Sequence, residues 1–466
     1  MVGLGNQGSS RVHVGAVALV MLASGIVAAA WYYNHPAIES NPDTSEYLRV
    51  AERVADGHLV DPARAPGYPL FIVLLGRNLQ AVSVGQLLLF VLASAMVYAI
   101  VALVTERVWI ALVVALVMGT NLYLISWVKP LMSEGLALWA VVSLALAAVL
   151  FLRRPSAPLL WLIAALTLLA LFTRVEFLFL PVLLFALLTA FTWQRGLLWH
   201  ALAATVVVYA FVAAYIAVNA FSNGYPGVTW VERVNLFGKV LQYRMHDEAP
   251  SRYSALTSAI DNYLRTKNEG TYAFAQVRPE VQADNWKLAG SYALAAAEAD
   301  PIRYAKETAR LAINSSVNYW TFREAESQEP IDAAGPFVGP LHRVLRFSRS
   351  PQEIYPLFPL AALAWFALWL ARRREREWQL DAMIILVFLG MYDVIVVSAG
   401  AYGEYPRLYA PIDPIKLIVL LTCPLLAADW IWSLNSPVQL PLAPRCRRDK
   451  GRPAGAGLPA VRRGSP

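Results

Sequence analysis

The residues most able to do chemistry lie in the polar stretch 34–76, where acids and an arginine occur close together. Asp43 and Glu46 start a segment with helical spacing, and Arg64 precedes a Pro-Gly-Tyr-Pro corner that contains Tyr68. An ionised carboxylate at a water–membrane boundary can take the proton of an attacking hydroxyl group, so Asp43 and Glu46 are candidate catalytic residues. A guanidinium beside a rigid, glycine-containing corner can bind a phosphate, so Arg64 and Tyr68 are candidate substrate ligands.

The two acids also have a purely structural explanation, because Asp-Thr-Ser-Glu has the spacing of a helix-capping box. In that motif the aspartate caps the helix and the glutamate reaches back to the first backbone N–H. Tyr47, Ala51 and Val54 then form an apolar face at helical spacing. Capping alone would account for Asp43 and Glu46, so their residue types leave both interpretations open.

Further charged residues stand at the ends of apolar segments. Glu134 begins one such segment, where an acid also complements the helix dipole. Arg174 interrupts an apolar run beside Glu176, and although the two could simply pair, an ionisable residue at membrane depth is a functional candidate. Glu404 and Arg407 precede the last apolar segment, where an arginine suits an anionic head group. Substrate binding is therefore also expected of Glu134, Arg174, Glu404 and Arg407.

These residues are set in a chain whose composition indicates a membrane protein. Of its 466 residues, 58% are hydrophobic and 15% are charged, whereas soluble domains carry about 25% charged residues. Apolar runs long enough to cross ~30 Å of hydrocarbon predict an all-α polytopic membrane protein with about ten transmembrane helices. The net charge of +7 lies largely in short loops and the tail, which indicates topology and not a nucleic-acid partner.

The apolar pattern divides the chain into consecutive parts. Residues 1–220 form an N-terminal transmembrane module, which includes the first outer loop 34–76. Residues 221–352 form a mainly helical extracytoplasmic segment, and residues 353–432 form the C-terminal transmembrane helices. The remaining residues, 433–466, are rich in Pro, Gly and Arg and are expected to be a disordered basic tail in the cytoplasm.

The positions of the basic residues predict the orientation, because short cytoplasmic loops carry an excess of Lys and Arg. Loops near 107, 153–154 and 372–376 carry arginines and fall on one side, which places both termini in the cytoplasm. The first apolar run, 12–33, ends in Trp-Tyr-Tyr and is expected to be an uncleaved anchor, the alternative being a signal peptide. The first outer loop and the segment 221–352 then share the extracytoplasmic face of the cell (inner or plasma) membrane.

No cofactor is assigned from the sequence. The six histidines are scattered without an HExxH spacing, and the two cysteines, Cys423 and Cys446, offer no disulfide framework. The first outer loop has no DxD pair, so a divalent metal is left open without support from a motif. A Walker-type phosphate loop is also missing, which argues against ATP-driven transport.

The first outer loop resembles that of GT-C integral-membrane glycosyltransferases, the relatives of protein O-mannosyltransferases and lipid A aminoarabinose transferases. The resemblance rests on PDTSEYLRVAERVADGHL followed by RAPGYPLF, in which Ala65 replaces the first proline of a Pro-Pro-Gly-Tyr-Pro-like corner. Looser matches occur at Ser133-Glu134, at Thr173-Arg174 and in GEYPRLYAPIDP before the last apolar segment. The segment 221–352 and the tail lie outside the resemblance.

The resemblance implies inverting transfer of a sugar from a polyprenyl-phosphate-linked donor to a cell-envelope glycan, lipid or protein on the outer face. It implies Asp43 as the general base, and Arg64, Arg174 and Arg407 as ligands of the lipid phosphate. Two alternatives come from other classes: a polytopic lipid or solute transporter, and a non-catalytic envelope-assembly protein. A transporter would place acids near mid-membrane, whereas these polar groups are expected at the outer boundary.

Overall fold

The computed structural model describes residues 7–34, 43–192, 196–267, 286–317, 354–372, 377–402 and 405–435. Nearly all the secondary structure in these ranges is helical, and none of them contains a strand. The all-α prediction is confirmed for this part of the chain. The tail from 436 onward and Glu404 lie outside the described residues.

The helices follow the apolar and amphipathic segments of the sequence. In chain order they are α1 Gln7–Asn34, α2 Thr44–Ala55, α3 Gly67–Leu74, α4 Leu79–Thr105, α5 Val108–Gly119, α6 Leu122–Val128, α7 Glu134–Arg153, α8 Ala157–Thr173, α9 Leu180–Thr192, α10 Leu198–Asn223, α11 Val231–Gln242, α12 Ser254–Lys267, α13 Trp286–Ala299, α14 Pro301–Val317, α15 Phe358–Arg372, α16 Trp378–Gly400, α17 Tyr405–Tyr409 and α18 Asp413–Asn435. A 3-10 turn, Val175–Phe179, leads into α9.

Seven helices among the described residues are long and apolar enough to cross a membrane, or eight if the bent pair α5 and α6 is one span. The expected count of about ten is therefore not confirmed. One reason is that α8 is apolar but has only 17 residues. Helix α18 is also not among the seven. The apolar helices support a multi-pass helical membrane protein.

Helix α7 lies at the centre of the bundle, in contact with α4, α8 and α16. It is rich in alanine and valine, and most of its side chains are buried. Small residues allow helices in lipid to approach closely, which is how such bundles gain dispersion energy. Gly135 illustrates this, because a Cβ atom there would lie 3.1 Å from the side chain of Gln86 on α4. This close packing of α7 on α4 fixes the position of Glu134 at the start of α7.

The chain bends by 52° between α5 and α6, and the bend brings the start of α7 up to the first outer loop. Asn121 caps α6 by accepting a hydrogen bond from the backbone N–H of Leu124 at 3.3 Å. The residues between α6 and α7 bind helix α2. The hydroxyl of Thr44 donates to the carbonyl of Leu131 at 3.1 Å, and the Tyr47 hydroxyl donates to the Ser133 hydroxyl at 3.1 Å. Helix α2 is thus held directly above the start of α7.

The described part of 221–352 is helical and has its own small core, built by Phe237, Leu241 and Tyr292 among others. It also contacts the first outer loop, because the Trp230 backbone N–H donates to the Pro62 carbonyl at 2.7 Å. These two polar regions, expected on the same face, therefore lie against each other. Since α11 begins at this contact, it forms one side of the space above α7.

Candidate functional site

The corner at Gly67 sets the distance between the first outer loop and the end of α8. A Cβ atom on Gly67 would lie 2.8 Å from the backbone carbonyl of Phe172 and from the Thr173 hydroxyl, so no larger residue fits without displacement. This close approach places Arg64, just before the corner, and Arg174, just after α8, in the lining of the same cavity. The glycine of the Pro-Gly-Tyr-Pro sequence is therefore required by packing.

Asp43 lies between two arginines that come from opposite ends of the chain. Arg64 donates from Nη2 to Asp43 Oδ1 at 2.7 Å, and Arg407 donates from Nη2 to Oδ2. The Asp43 side chain is 26% exposed, and each arginine side chain is 14% exposed. One guanidinium therefore occupies each carboxylate oxygen in a partly desolvated setting, where charge-assisted hydrogen bonds are strong.

The capping-box prediction is wrong for these acids. The Asp43 side chain makes no cap hydrogen bond, and its backbone is already helical, with φ −72° and ψ −22°. Glu46 accepts from Arg64 Nε at 2.6 Å instead of closing the box. The physical reason is that a guanidinium offers a stronger, charged partner than a backbone N–H.

A buried acid, Glu134, links Arg407 to a third arginine, Arg174. Glu134 accepts from Arg407 Nε at 2.6 Å and lies 3.3 Å from Arg174 Nη1, and its side chain is only 1% exposed. Arg174 also pairs with Glu176, with Nε 2.8 Å from Oε1, as the sequence suggested. Acids and arginines therefore alternate along one network, in the order Glu46, Arg64, Asp43, Arg407, Glu134, Arg174 and Glu176.

The network and its burial shift the pKa values of Asp43 and Glu46 in opposite directions. Burial alone would raise the pKa of Asp43, but Arg64 and Arg407 outweigh it and lower that pKa to about 2. For Glu46 burial is the larger influence, so its pKa is raised despite its contact with Arg64. Asp43 is therefore firmly ionised and weakly basic while both arginines hold it.

The network faces a cavity of about 480 Å³. The lining of the cavity is partly charged and partly apolar. Its charged residues include Asp43, Arg64, Arg174, Glu176 and Arg407, and its apolar residues include Leu178, Phe179, Val231, Val234, Val396 and Leu408. An amphiphile with an anionic head and an apolar tail has the matching chemistry.

The structure brings together most of the site residues predicted from sequence. The cavity is lined by four of them: Asp43, Arg64, Arg174 and Arg407. Glu46 and Glu134 do not line it, but Glu46 bonds to Arg64 and Glu134 bonds to Arg407. Glu404 lies outside the described residues.

Tyr68 has a different position from the one its motif suggested. It is fully buried, donates from its hydroxyl to Gln86 Oε1 at 2.7 Å, and packs edge-on against Tyr47 with ring centroids 4.9 Å apart. Tyr47 in turn lies beneath Arg64, whose guanidinium carbon is 4.8 Å from the ring centroid. Tyr68 therefore packs against Tyr47, which in turn supports Arg64. Tyr68 itself does not line the cavity.

Sequence reasoning missed the wall of the cavity formed by the start of α11. Trp230, Glu232 and Asn235 line it, and Glu232 accepts a hydrogen bond from Tyr225 at 2.9 Å. No motif marks these residues, because the segment lies outside the resemblance. The available signal was an aromatic residue directly before a short amphipathic helix in a polar segment.

A group that could hold a metal ion also escaped the sequence analysis. Candidate ligand atoms of His246, Asp247 and Asp261 lie within 4.8 Å of one another, away from the cavity lining. Asp261 is distant in sequence from His246, so no motif spacing points to the group. Both carboxylates are largely exposed, whereas the histidine is buried.

The chain matches no protein-family model and no curated protein. The geometry of the network and its cavity is therefore the basis for the function proposed below.

Proposed function

We propose that the protein is a membrane glycosyltransferase of the GT-C type. It moves a sugar from a polyprenyl-phosphate-linked donor to a glycan, lipid or protein acceptor of the cell envelope, with inversion at the anomeric carbon. The observation that carries this proposal is Asp43, an acid from the first outer loop that is held at a cavity between Arg64 and Arg407. The resemblance in sequence concerns the same residues.

The mixed lining of the cavity supports a lipid-linked donor. Arginines supply its cationic groups, and Leu178, Phe179 and Val396 are among its apolar side chains. Its volume of about 480 Å³ lies within the range of small-molecule sites, about 300–1,000 Å³. In the proposed complex, the phosphate contacts the arginines and the lipid contacts the apolar side chains.

The proposed chemistry assigns one step to each group. An oxygen of the acceptor hydroxyl attacks the anomeric carbon, and its proton passes to the carboxylate of Asp43. The bond between that carbon and the phosphate oxygen breaks, and its electron pair leaves with the polyprenyl phosphate. The guanidinium groups of Arg64 and Arg407 stabilise the charge that the leaving phosphate gains.

The proposal includes the topology expected from the basic loops. About ten spans place both termini in the cytoplasm, and the cavity opens on the extracytoplasmic face. The contact between the first outer loop and α11 supports this arrangement, because both belong to regions expected outside. The polar residues at the start of α11, Glu232 and Asn235, then contact the acceptor, since they line the same cavity.

The test is transfer of a labelled sugar from a polyprenyl-phosphate donor by the purified protein in lipid nanodiscs. Asp43→Asn should lower the transfer rate by about 10²–10⁴-fold, the usual contribution of a general base. Glu52→Gln, an exposed acid on the same helix, is the matched control and should retain transfer. Normal transfer by a well-folded Asp43→Asn protein would remove Asp43 from the mechanism.

A transporter is the second candidate, and Asp393 favours it. This acid lies within α16, is 1% exposed, and neither carboxylate oxygen has a hydrogen-bond partner among the described residues. Buried acids in transmembrane helices often belong to ion or substrate pathways. A flux assay in proteoliposomes with polyprenyl-phosphate sugar separates the candidates: movement of intact donor across the bilayer without transfer of sugar supports the transporter.

A further inference from the structure

We propose that the donor's own phosphate releases the catalytic base. Arg64 and Arg407 each exchange one hydrogen bond from Asp43 to the phosphate, and the freed carboxylate then accepts the proton of the acceptor. This inference rests on the proposed function, and it adds an order of events within the site: donor first, base second.

The hydrogen bonds of the two arginines are divided in the same way. Arg64 uses Nε to hold Glu46 and Nη2 to hold Asp43. Arg407 uses Nε to hold Glu134 and Nη2 to hold Asp43. Each guanidinium is therefore anchored by one acid through Nε and donates to Asp43 through Nη2.

This division allows exchange without loss of position. A phosphate in the cavity can accept from Nη2 of both arginines, while Glu46 and Glu134 keep their Nε contacts. The phosphate oxygens are charged acceptors like the carboxylate oxygens they replace, so the arginines keep a full set of charged partners. The ring of Tyr47 beneath Arg64 also stays in place.

Exchange changes the basicity of Asp43 in the direction that catalysis needs. A carboxylate with a pKa of about 2 is a poor proton acceptor near neutral pH, where the best bases have a pKa close to the working pH. Burial acts on Asp43 in the opposite sense to the arginines and raises its pKa. When the phosphate draws the guanidinium groups away, burial and the nearby negative phosphate both favour protonation of Asp43.

The experiment measures binding of a short polyprenyl monophosphate, farnesyl phosphate, to the purified full-length protein in detergent. In the wild type the phosphate must displace Asp43 from the arginines, whereas in Asp43→Asn a neutral amide is easier to displace. We expect Asp43→Asn to bind farnesyl phosphate about tenfold more tightly, which corresponds to about 1.4 kcal/mol, the scale of one hydrogen bond to a charged group. The same variant is expected to lose sugar transfer.

Controls separate this effect from a change in net charge. Glu52→Gln removes one negative charge from an exposed site on α2 and should leave the affinity for farnesyl phosphate within about twofold of the wild type. Farnesol, which lacks the phosphate, should bind the wild type and Asp43→Asn equally. Asp43→Ser replaces Asp43→Asn if the latter fails to fold, because serine is favoured before a helix.

The outcomes distinguish this inference from the proposed function. Unchanged or weaker farnesyl phosphate binding by Asp43→Asn, with clear binding by the wild type, overturns release of the base and leaves the proposed donor intact. Binding by neither protein overturns the proposed donor class, and the inference with it. Tighter binding by the variant together with loss of transfer supports both.

Discussion

Two aspartates near the first outer loop are each held by a pair of arginines, but their exposures are opposite. Asp61 is 1% exposed, and its partners Arg49 and Arg53 are 49% and 37% exposed. At the cavity the acid is the more exposed member, since Asp43 is 26% exposed and its arginines 14%. In the Asp61 group the arginines are therefore the more exposed members, whereas in the Asp43 group the acid is.

The difference separates a structural ion pair from one available to a ligand. Asp61 also accepts the Ala63 backbone N–H at 2.7 Å, and its own backbone contacts the Tyr215 hydroxyl at 3.1 Å. All its contacts fasten the loop that leads to the corner. Asp43 has charged contacts at both oxygens yet lines a cavity, so a molecule that enters can compete for its partners.

The largest expected effect concerns matched arginines. Arg407→Gln should lower sugar transfer by about 10²–10³-fold, the range for removal of one donor that stabilises a developing anion. Arg53→Gln removes an arginine of the structural pair and should change transfer less than about twofold, measured per folded protein. Equal losses in the two variants would erase the distinction between the pairs.

The structural aspartate should matter more for stability. Asp61→Asn should lower the free energy of unfolding by about 2 kcal/mol, because it weakens charged hydrogen bonds to a buried acceptor. Asp43→Asn should cost less, since each of its arginines keeps a second acid. Thermal unfolding in detergent, followed by intrinsic tryptophan fluorescence, measures both, and a larger loss in Asp43→Asn would contradict the assignment.

A smaller effect is expected from the corner that joins the two regions. Gly67→Ala places a methyl group 2.8 Å from backbone atoms of Phe172, so the loop must shift, at a cost of about 1–2 kcal/mol. The shift should also raise the Michaelis constant for the donor, because it moves Arg64 relative to Arg174. Gly15→Ala is the control, since a Cβ there meets nothing within 4 Å.

The smallest effect is the response of the Asp43 pair to acid. Its pKa is lowered from 3.8 to about 2, so its ionised form stabilises the fold above about pH 4. That contribution is lost progressively as the pH falls from about 4 toward 2. The difference in thermal midpoint between the wild type and Asp43→Asn should therefore shrink on acidification, and a pH-independent difference would exclude the ion pair as its source.

Local patterns predicted the helices well, because a helix depends on neighbours in sequence. The periodicity that indicates α2 needs no partner elsewhere. The grouping of Asp43, Arg64 and Arg407 was also predictable, since each was expected at the outer end of an apolar segment. The capping interpretation of Asp43 failed because it uses local partners only, and the arginine that competes is 364 residues away.

Other parts of the site depend on contacts that sequence patterns do not encode. The Pro-Gly-Tyr-Pro motif suggested Tyr68 as a ligand, but burial of its ring against Tyr47 decides its position. Trp230 lines the cavity because α11 docks on the first outer loop, a contact between regions far apart in the chain. The count of about ten spans is not confirmed, because apolar sequence alone does not fix helix length: α8 is apolar but has only 17 residues.

The network that joins Asp43 to Arg407 also has a consequence for how the protein is made. During synthesis, Asp43 and Glu134 enter the membrane region long before Arg407 is translated, 364 residues after Asp43. Until the C-terminal helices insert, these acids lack the guanidinium that joins them. The helices translated around Arg407 therefore complete the network, and a chain cut short before them carries Asp43 without one of the two arginines that hold it.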